Sequence, residues 1–180
     1  MTKVKLTQKD LIFLLNSTSQ CWLPDTDLQE LSLRHANLQR GQFQRADLRN
    51  ADLSGADLHD ARMEGANLQA SKLQNADLSF GHLVSIDLRS ADLQHSKLQS
   101  ADLKNADLRS ADLRFARLQN ADLRSADLRF AKLEGANLRG ADLRHAKLQG
   151  ADFREADLQD AKLDKAELKN ARGVHGTEVV

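Results

Sequence analysis

The sequence predicts an all-β solenoid that opens with one short α-helix, and three observations carry that prediction. From Leu28 to Leu168 every fifth residue is Leu, Phe or Met, an unbroken run of 29 positions at which only Phe43, Met63 and Phe153 are not Leu. Two residues before each lies a slot that is Ala in 22 of the 29 cases, and the residue between is Asp or Asn in 18. A period of five also fits neither common structure. Five residues of α-helix advance about 500°, so successive Leu would rotate around the axis and form no stripe. In a straight strand side chains alternate with period two, so successive Leu would point to opposite faces. Every Leu stays inside only if the chain bends once per unit, so that short extended segments joined by corners wind around a lumen filled by Leu and Ala. The Ala slot is small because two large residues per segment would overfill that lumen.

Composition agrees with a coil more than with an ordinary core. Six Phe, one Trp and no Tyr leave aromatics at 4%, and the 41% hydrophobic content is nearly all Leu and Ala. Lys plus Arg and Asp plus Glu are both 26, so the formal net charge is zero and direct nucleic-acid binding is not expected. A single Cys excludes a disulfide framework and a Cys-based zinc site, and it fits a reducing compartment. No apolar run approaches the roughly 20 residues of a membrane span. The opening Met1-Thr2-Lys3-Val4-Lys5 leads to only five consecutive apolar residues, too few for a signal-peptide core, so a cytoplasmic protein is expected.

Taken in order, residues 1–25 read as a helical cap and lead-in. Residues 8–17 suit a short helix with Thr7 as N-cap, Asp10 at the capping-box position, and Leu6 with Leu11 as a hydrophobic staple. Leu11, Ile12, Leu14 and Leu15 are then expected to lie over the first coil, because an open solenoid end exposes strand edges and core. Pro24, the only proline, ends the lead-in without removing a ladder donor, and Cys21 and Trp22 are expected to plug the end of the core. Residues 26–170 are the A-D/N-L-x-x units, with Leu48, Leu68, Leu88, Leu108 and Leu128 as typical core positions. Within them, 81–86 departs from the pattern, and Ile86 in an Ala slot predicts a bulge or widened corner. Residues 171–180 form a tail in which Gly173 replaces the next Leu, so the tail or a second subunit is expected to cover the last coil.

These residues closely resemble the pentapeptide repeat family. The resemblance implies a right-handed quadrilateral β-helix of four units, or 20 residues, per coil, and therefore about seven coils. At the spacing of paired strands the rod would be about 35 Å long. It also implies a non-enzymatic protein, since some members resemble duplex DNA in size, shape and negative charge, bind DNA gyrase, and protect it from quinolones or a peptide toxin. Others regulate bacterial signalling or differentiation, and some dimerise through their C-terminal ends, so either a monomer or an end-to-end homodimer is expected here. DNA mimicry needs anionic faces. The four faces over 26–170 sum to −1, −1, −1 and +2, because Asp before Leu is commonly answered by Arg after it, as in Asp107/Arg109, Asp122/Arg124, Asp127/Arg129 and Asp142/Arg144.

A second period of fifteen places a basic residue or His at Arg62, His82, Lys97, Arg117, Lys132, Lys147 and Lys162. Fifteen residues are three sides of a four-sided coil, so these positions step around the rod and form no patch. None of His35, His59, His82, His95, His145 and His175 lie 20 apart, which argues against a His metal site between coils. No cofactor is implied, and no catalytic residues are assigned. Phe80, Phe115 and Phe130 are predicted to point outward, and with Val84 they are the candidate contacts for a protein partner. The expected function is therefore a rigid protein-interaction or scaffolding module. The alternatives are a gyrase-binding DNA mimic, which the neutral faces disfavour, and a regulator of a signalling or differentiation pathway.

Overall fold

The structure is a computed structural model that describes residues 4–17, without the side chains of 15–17, and residues 21–174. Strand β1 (Val4–Lys5) leads into helix α1 (Gln8–Ser17), and β2 (Thr26–Asp27) follows in the first coil. From there the chain winds as a right-handed quadrilateral β-helix. Parallel bridges join Asp27 to Asp47, Asp47 to Asn67, and so on to Asp152 with Arg172, always 20 residues apart. Four pentads therefore make one coil.

Pentad 46–50, with Asp in its outward slot, accounts for all five of its backbone donors. Asp47 N–H donates back one coil to the Thr26 carbonyl at 2.8 Å, while Leu48 and Asn50 donate forward to Asn67 and Gln69 at 2.7 and 3.1 Å. Ala46 N–H closes the preceding β-turn on the Phe43 carbonyl at 3.0 Å. Arg49 N–H has no ladder partner, and the Asp47 side chain accepts it at 3.3 Å. The same bond, from the residue two positions on, forms at every one of the 18 Asp and Asn positions of this slot, at 3.0–3.3 Å. A short side-chain acceptor two residues back satisfies the one donor that the helix leaves over, and this is the physical reason for Asp and Asn in the repeat. At each corner the last residue of the pentad takes a left-handed φ, from 53 to 63° at 25 residues that are not glycine. This conformation costs roughly 1–2 kcal/mol per residue, so the ladders on either side must hold it.

The lumen is built as the period requires. Leu48, Leu68, Leu88, Leu108 and Leu128 are all buried, as are most of the Ala two positions before each core residue. Phe43 fits because Gly41 holds the small slot ahead of it: a Cβ there would meet the Phe43 ring at 2.4 Å. The bulge expected at Ile86 does not form. Ile86 is fully buried, the bridges Asn67–Asp87 and Asp87–Asp107 keep register, and only the turn bond to Leu83 lengthens to 3.2 Å. The same coil carries Gly81 in the preceding small slot, which offsets part of the added volume. Ser71 and Ser96 fill small slots too, and their buried hydroxyls find no partner among the described residues. A buried unpaired hydroxyl is costly, so Ser96→Ala is expected to stabilise the protein by about 1 kcal/mol. The denaturant midpoint reads this out, and a lowered midpoint would show that the hydroxyl is satisfied.

At the N-terminal end the capping box forms as expected: Thr7 N–H donates to Asp10 Oδ2 at 2.9 Å and Asp10 N–H to Thr7 Oγ1 at 3.3 Å. β1 pairs with Thr26–Asp27 and so covers the first edge of one face. On the next face the Gln8 amide does the work of a strand, accepting Ser32 N–H at 2.8 Å and donating to the Ser32 carbonyl at 2.9 Å. Leu11 is buried and Leu14 partly so, but Ile12 is exposed, at the edge of a surface groove that it lines with Ser32, Leu33 and Asn37 of the first coil. The expected packing of Leu15 lies outside the described residues. Trp22 is also a correction. Repeat geometry begins one unit before Thr26, with Cys21 in the small slot, Leu23 in the Leu slot and Trp22 in the outward slot, bridged to Gln42. Trp22 is accordingly 72% exposed and plugs nothing. Cys21 does pack against the core, and its burial pushes the thiol up to about 11, which leaves it inert at neutral pH.

At the other end the chain leaves the coil at Gly173. Its φ is 77°, and a Cβ there would sit 2.5 Å from the backbone of Phe153 and Arg154, so only glycine passes. Val174 packs on the core, and the remainder of the tail lies outside the described residues.

Candidate functional site

The outward slots of the coils stack into columns, and on two adjacent faces these columns join into charge ladders. On one face Asp87–Arg89, Asp107–Arg109 and Asp127–Arg129 pair within their own pentads at 2.6 Å. Arg89 also reaches Asp107 at 3.6 Å and Arg109 reaches Asp127 at 3.8 Å, so the pairs are linked from coil to coil. On the neighbouring face Lys104 contacts Asp102 at 3.0 Å and Asp122 at 4.0 Å, and Arg124 contacts Asp122 at 2.6 Å and Asp142 at 3.8 Å. Arg144 ends that ladder on Asp142 at 2.6 Å. Hydrogen bonds from the Arg124 side chain hold the Asp122 carboxyl below the usual range, and Arg144 and Arg154 act likewise on Asp142 and Asp152. At Asp87 and Asp127 partial burial pushes upward, but hydrogen bonds from Arg89 and Arg129 outweigh it.

The fifteen-residue period has an electrostatic consequence that its spacing alone did not reveal. Because a coil is 20 residues, Lys132, Lys147 and Lys162 each bridge to an Asp one coil earlier, namely Asp112, Asp127 and Asp142. Lys132 reaches Asp112 at 3.7 Å, and Lys97 reaches Asp77 at 2.9 Å. The bridges place Arg117, Lys132, Lys147 and Lys162 on four different faces, as the arithmetic required.

The three candidate aromatics are exposed, but the fold does not bring them together. Phe80, Phe115 and Phe130 sit at three different corners, and Val84 is half-buried in the pentad after Phe80. Phe80 meets His59 edge-on at 5.3 Å between ring centroids, and Phe115 stacks with His95 at 5.1 Å. Phe115 and Phe130 each lean over the glycine one coil on: a Cβ at Gly135 or Gly150 would come within 2.6 or 2.7 Å of the ring. The pairs Phe115/Gly135 and Phe130/Gly150, 20 apart, were visible in the sequence once the coil length was known. Phe130 separates two surface grooves of about 390 and 380 Å³ at one corner of the rod.

One constellation was not foreseen. Ser79 donates its hydroxyl proton to Asp77, and His59 Nδ1 lies 3.0 Å from the Ser79 oxygen. With that proton committed to the carboxylate, His59 must donate to Ser79. This is the reverse of what an activated nucleophile needs. Among the described residues no group of three or more His, Cys, Asp or Glu is placed to hold a metal, and no helix is long and apolar enough to cross a membrane.

A family model for pentapeptide repeats matches in eight copies between residues 19 and 172. A search of curated proteins finds no match. Among solved structures, trypsin-treated QnrB1, described as a plasmid-mediated fluoroquinolone resistance protein, superposes with a TM-score of 0.83 at 18% identity, covering 100% of this chain and 91% of that one. A pentapeptide repeat protein from Nostoc PCC 7120 is 50% identical over 44% of this chain and 66% of its own, with a TM-score of 0.44. HetL, a pentapeptide repeat protein from the cyanobacterium Nostoc sp. strain PCC 7120 involved in heterocyst differentiation regulation, is 28% identical over 94% and 98% of the two chains, with a TM-score of 0.29. The QnrB1 likeness shows the fold alone. With the repeat model matching most of its length and every coil built on it, the chain belongs to the pentapeptide repeat family.

Proposed function

We propose that this protein is a non-enzymatic interaction module, a rigid rod that works in a reducing compartment by presenting its outer faces to another protein. The observation that carries this reading is the pairing of charges on the outward columns. The carboxylates of the outward slots are engaged rather than free to act as bases: Asp107 and Asp122 each accept a backbone N–H at 3.2 Å and an Arg side chain at 2.6 Å. What remains is a pre-ordered pattern of donors and charges on a scaffold whose inner coils are held from both sides, and preorganisation of this kind favours binding. The test is cross-linking from the rod in a lysate, followed by reconstitution with the purified partner. Saturable binding that persists at physiological salt is expected; the absence of any saturable partner would overturn the reading.

Membership of the pentapeptide repeat family motivates a second reading, gyrase binding by DNA mimicry. The ladders oppose it, because a phosphate mimic needs unanswered negative charge and here the Arg column lies over the Asp column. In a supercoiling assay with purified gyrase, with and without a quinolone, micromolar protein is expected neither to inhibit nor to protect. Protection at that concentration would replace the scaffold reading with the mimic.

A further inference from the structure

We infer that the corner groove centred on Phe130 is the binding site and that its occupant is a short acidic segment of a partner protein carrying one aromatic or large apolar side chain. This deepens the interaction-module reading and rests on it. Phe130 differs from the other two exposed Phe in one respect. Phe80 and Phe115 each have a His ring against them, whereas among the described residues no ring stacks on Phe130, which at 65% is the most exposed of the three. One side of its ring is carried by Gly150. The other side faces the groove that runs along Ser110 and Ser90.

The walls of the two grooves supply the charge. Arg89, Arg109 and Arg129 line the first, and Lys132 and Arg172 line the second, against a single carboxylate, Asp152. The Asp partners of the three Arg do not line the groove and engage only Nε and Nη2. Each Nη1 makes no hydrogen bond among the described residues, so three planar donors repeat at the coil spacing of about 4.8 Å beside the ring. A carboxylate seated there gains directional hydrogen bonds from groups already fixed in place. An aromatic anchor stacked on the open side of Phe130 adds the apolar contact that the corner lacks. A single-stranded nucleic acid fits less well. Sequence-tolerant strand binding stacks successive bases on several aromatic side chains, whereas at this corner Phe130 is flanked by Ser110 and Ser90 on one side and by Gly150 and Asn170 on the other.

The experiment is fluorescence anisotropy on the full chain with three labelled probes: a nonapeptide with Glu residues flanking a central Trp, the same peptide with Lys in place of Glu, and an oligothymidylate of equal length. The acidic peptide is expected to bind at least about tenfold more tightly than either of the others. Phe130→Ser, which copies the residues at the same corner in earlier coils, is expected to weaken it about fivefold, and Arg109→Gln by a similar factor. An unchanged circular dichroism spectrum checks that each variant is folded. Equal or tighter binding of the oligothymidylate, indifference to Phe130→Ser, or no binding of the acidic peptide would each overturn the proposal. If the peptide fails while cross-linking still captures a saturable partner, only the groove is wrong; if both fail, the module reading falls with it.

Discussion

Leu108→Ala is expected to cost about 3–4 kcal/mol, near the upper part of the range for a buried Leu. Leu108 is fully buried in the lumen, stacked in a column between Leu88 and Leu128, which are fully buried as well. The cost is high because the site cannot collapse. Leu108 N–H is tied to Asp127 O at 2.7 Å, and Asp107 N–H to Ile86 O at 2.9 Å, so the ladders hold the coils apart whatever fills the space between them. A cavity that stays open loses both the transfer energy and the contacts around it. Leu168, only partly buried in the last turn, offers the contrast, and its replacement by Ala is expected to cost about 1 kcal/mol. Denaturant titrations of the two variants decide the matter. Equal losses at both positions would mean that the lumen relaxes, contrary to what the ladders imply.

The same geometry governs how the damage spreads. Each coil touches only its neighbours, so stability is close to a sum of coil terms and interface terms. Leu108→Ala should therefore raise amide exchange most in the coil it occupies and in the two beside it.

Much of this molecule was legible in the sequence because a period of five fits neither a helix nor a straight strand. The Leu column, the Ala slots, the capping box of Thr7 with Asp10 and the Asp–Arg pairs follow from spacing, and the stepping of Arg117, Lys132, Lys147 and Lys162 around the rod follows once the family resemblance supplies a four-sided coil. What escaped depends on local exceptions. Trp22 faces solvent because the first unit, Cys21 to Asp25, does not look like its successors yet already follows their geometry. Ile86 gave no bulge, since a coil that tolerates Gly81 one slot earlier absorbs the extra bulk. The Gln8 amide acts as a strand through a side chain, which no backbone pattern encodes. The contact of His59 with Ser79 is again a 20-residue pair, hidden because Ser79 looked like any other exposed residue.

Acid should unfold this protein through the ladders, and the sign follows from the carboxylates. Asp87, Asp112, Asp122, Asp127, Asp142 and Asp152 are all held below the ordinary carboxylate value in the folded chain. A depressed folded value contributes stability that is fully present above the unfolded value of about 3.9 and is lost as pH falls through the folded one. The denaturant midpoint is therefore expected to stay flat from about pH 8 to pH 5 and to drop steeply below about pH 4. Two replacements at one site separate the causes. Asp122→Asn keeps an acceptor for Arg124 N–H and removes the charge; Asn37, Asn67 and Asn137 already play that part in other coils. Asp122→Ala removes both, so it should be less stable than the Asn variant by about 1 kcal/mol at neutral pH. Only the Asn variant should retain the fold's backbone accounting while losing its share of the acid response. If Asn and Ala cost the same, the ion pair with Arg124 outweighs the backbone bond, and the Asp of the repeat would owe its place to charge.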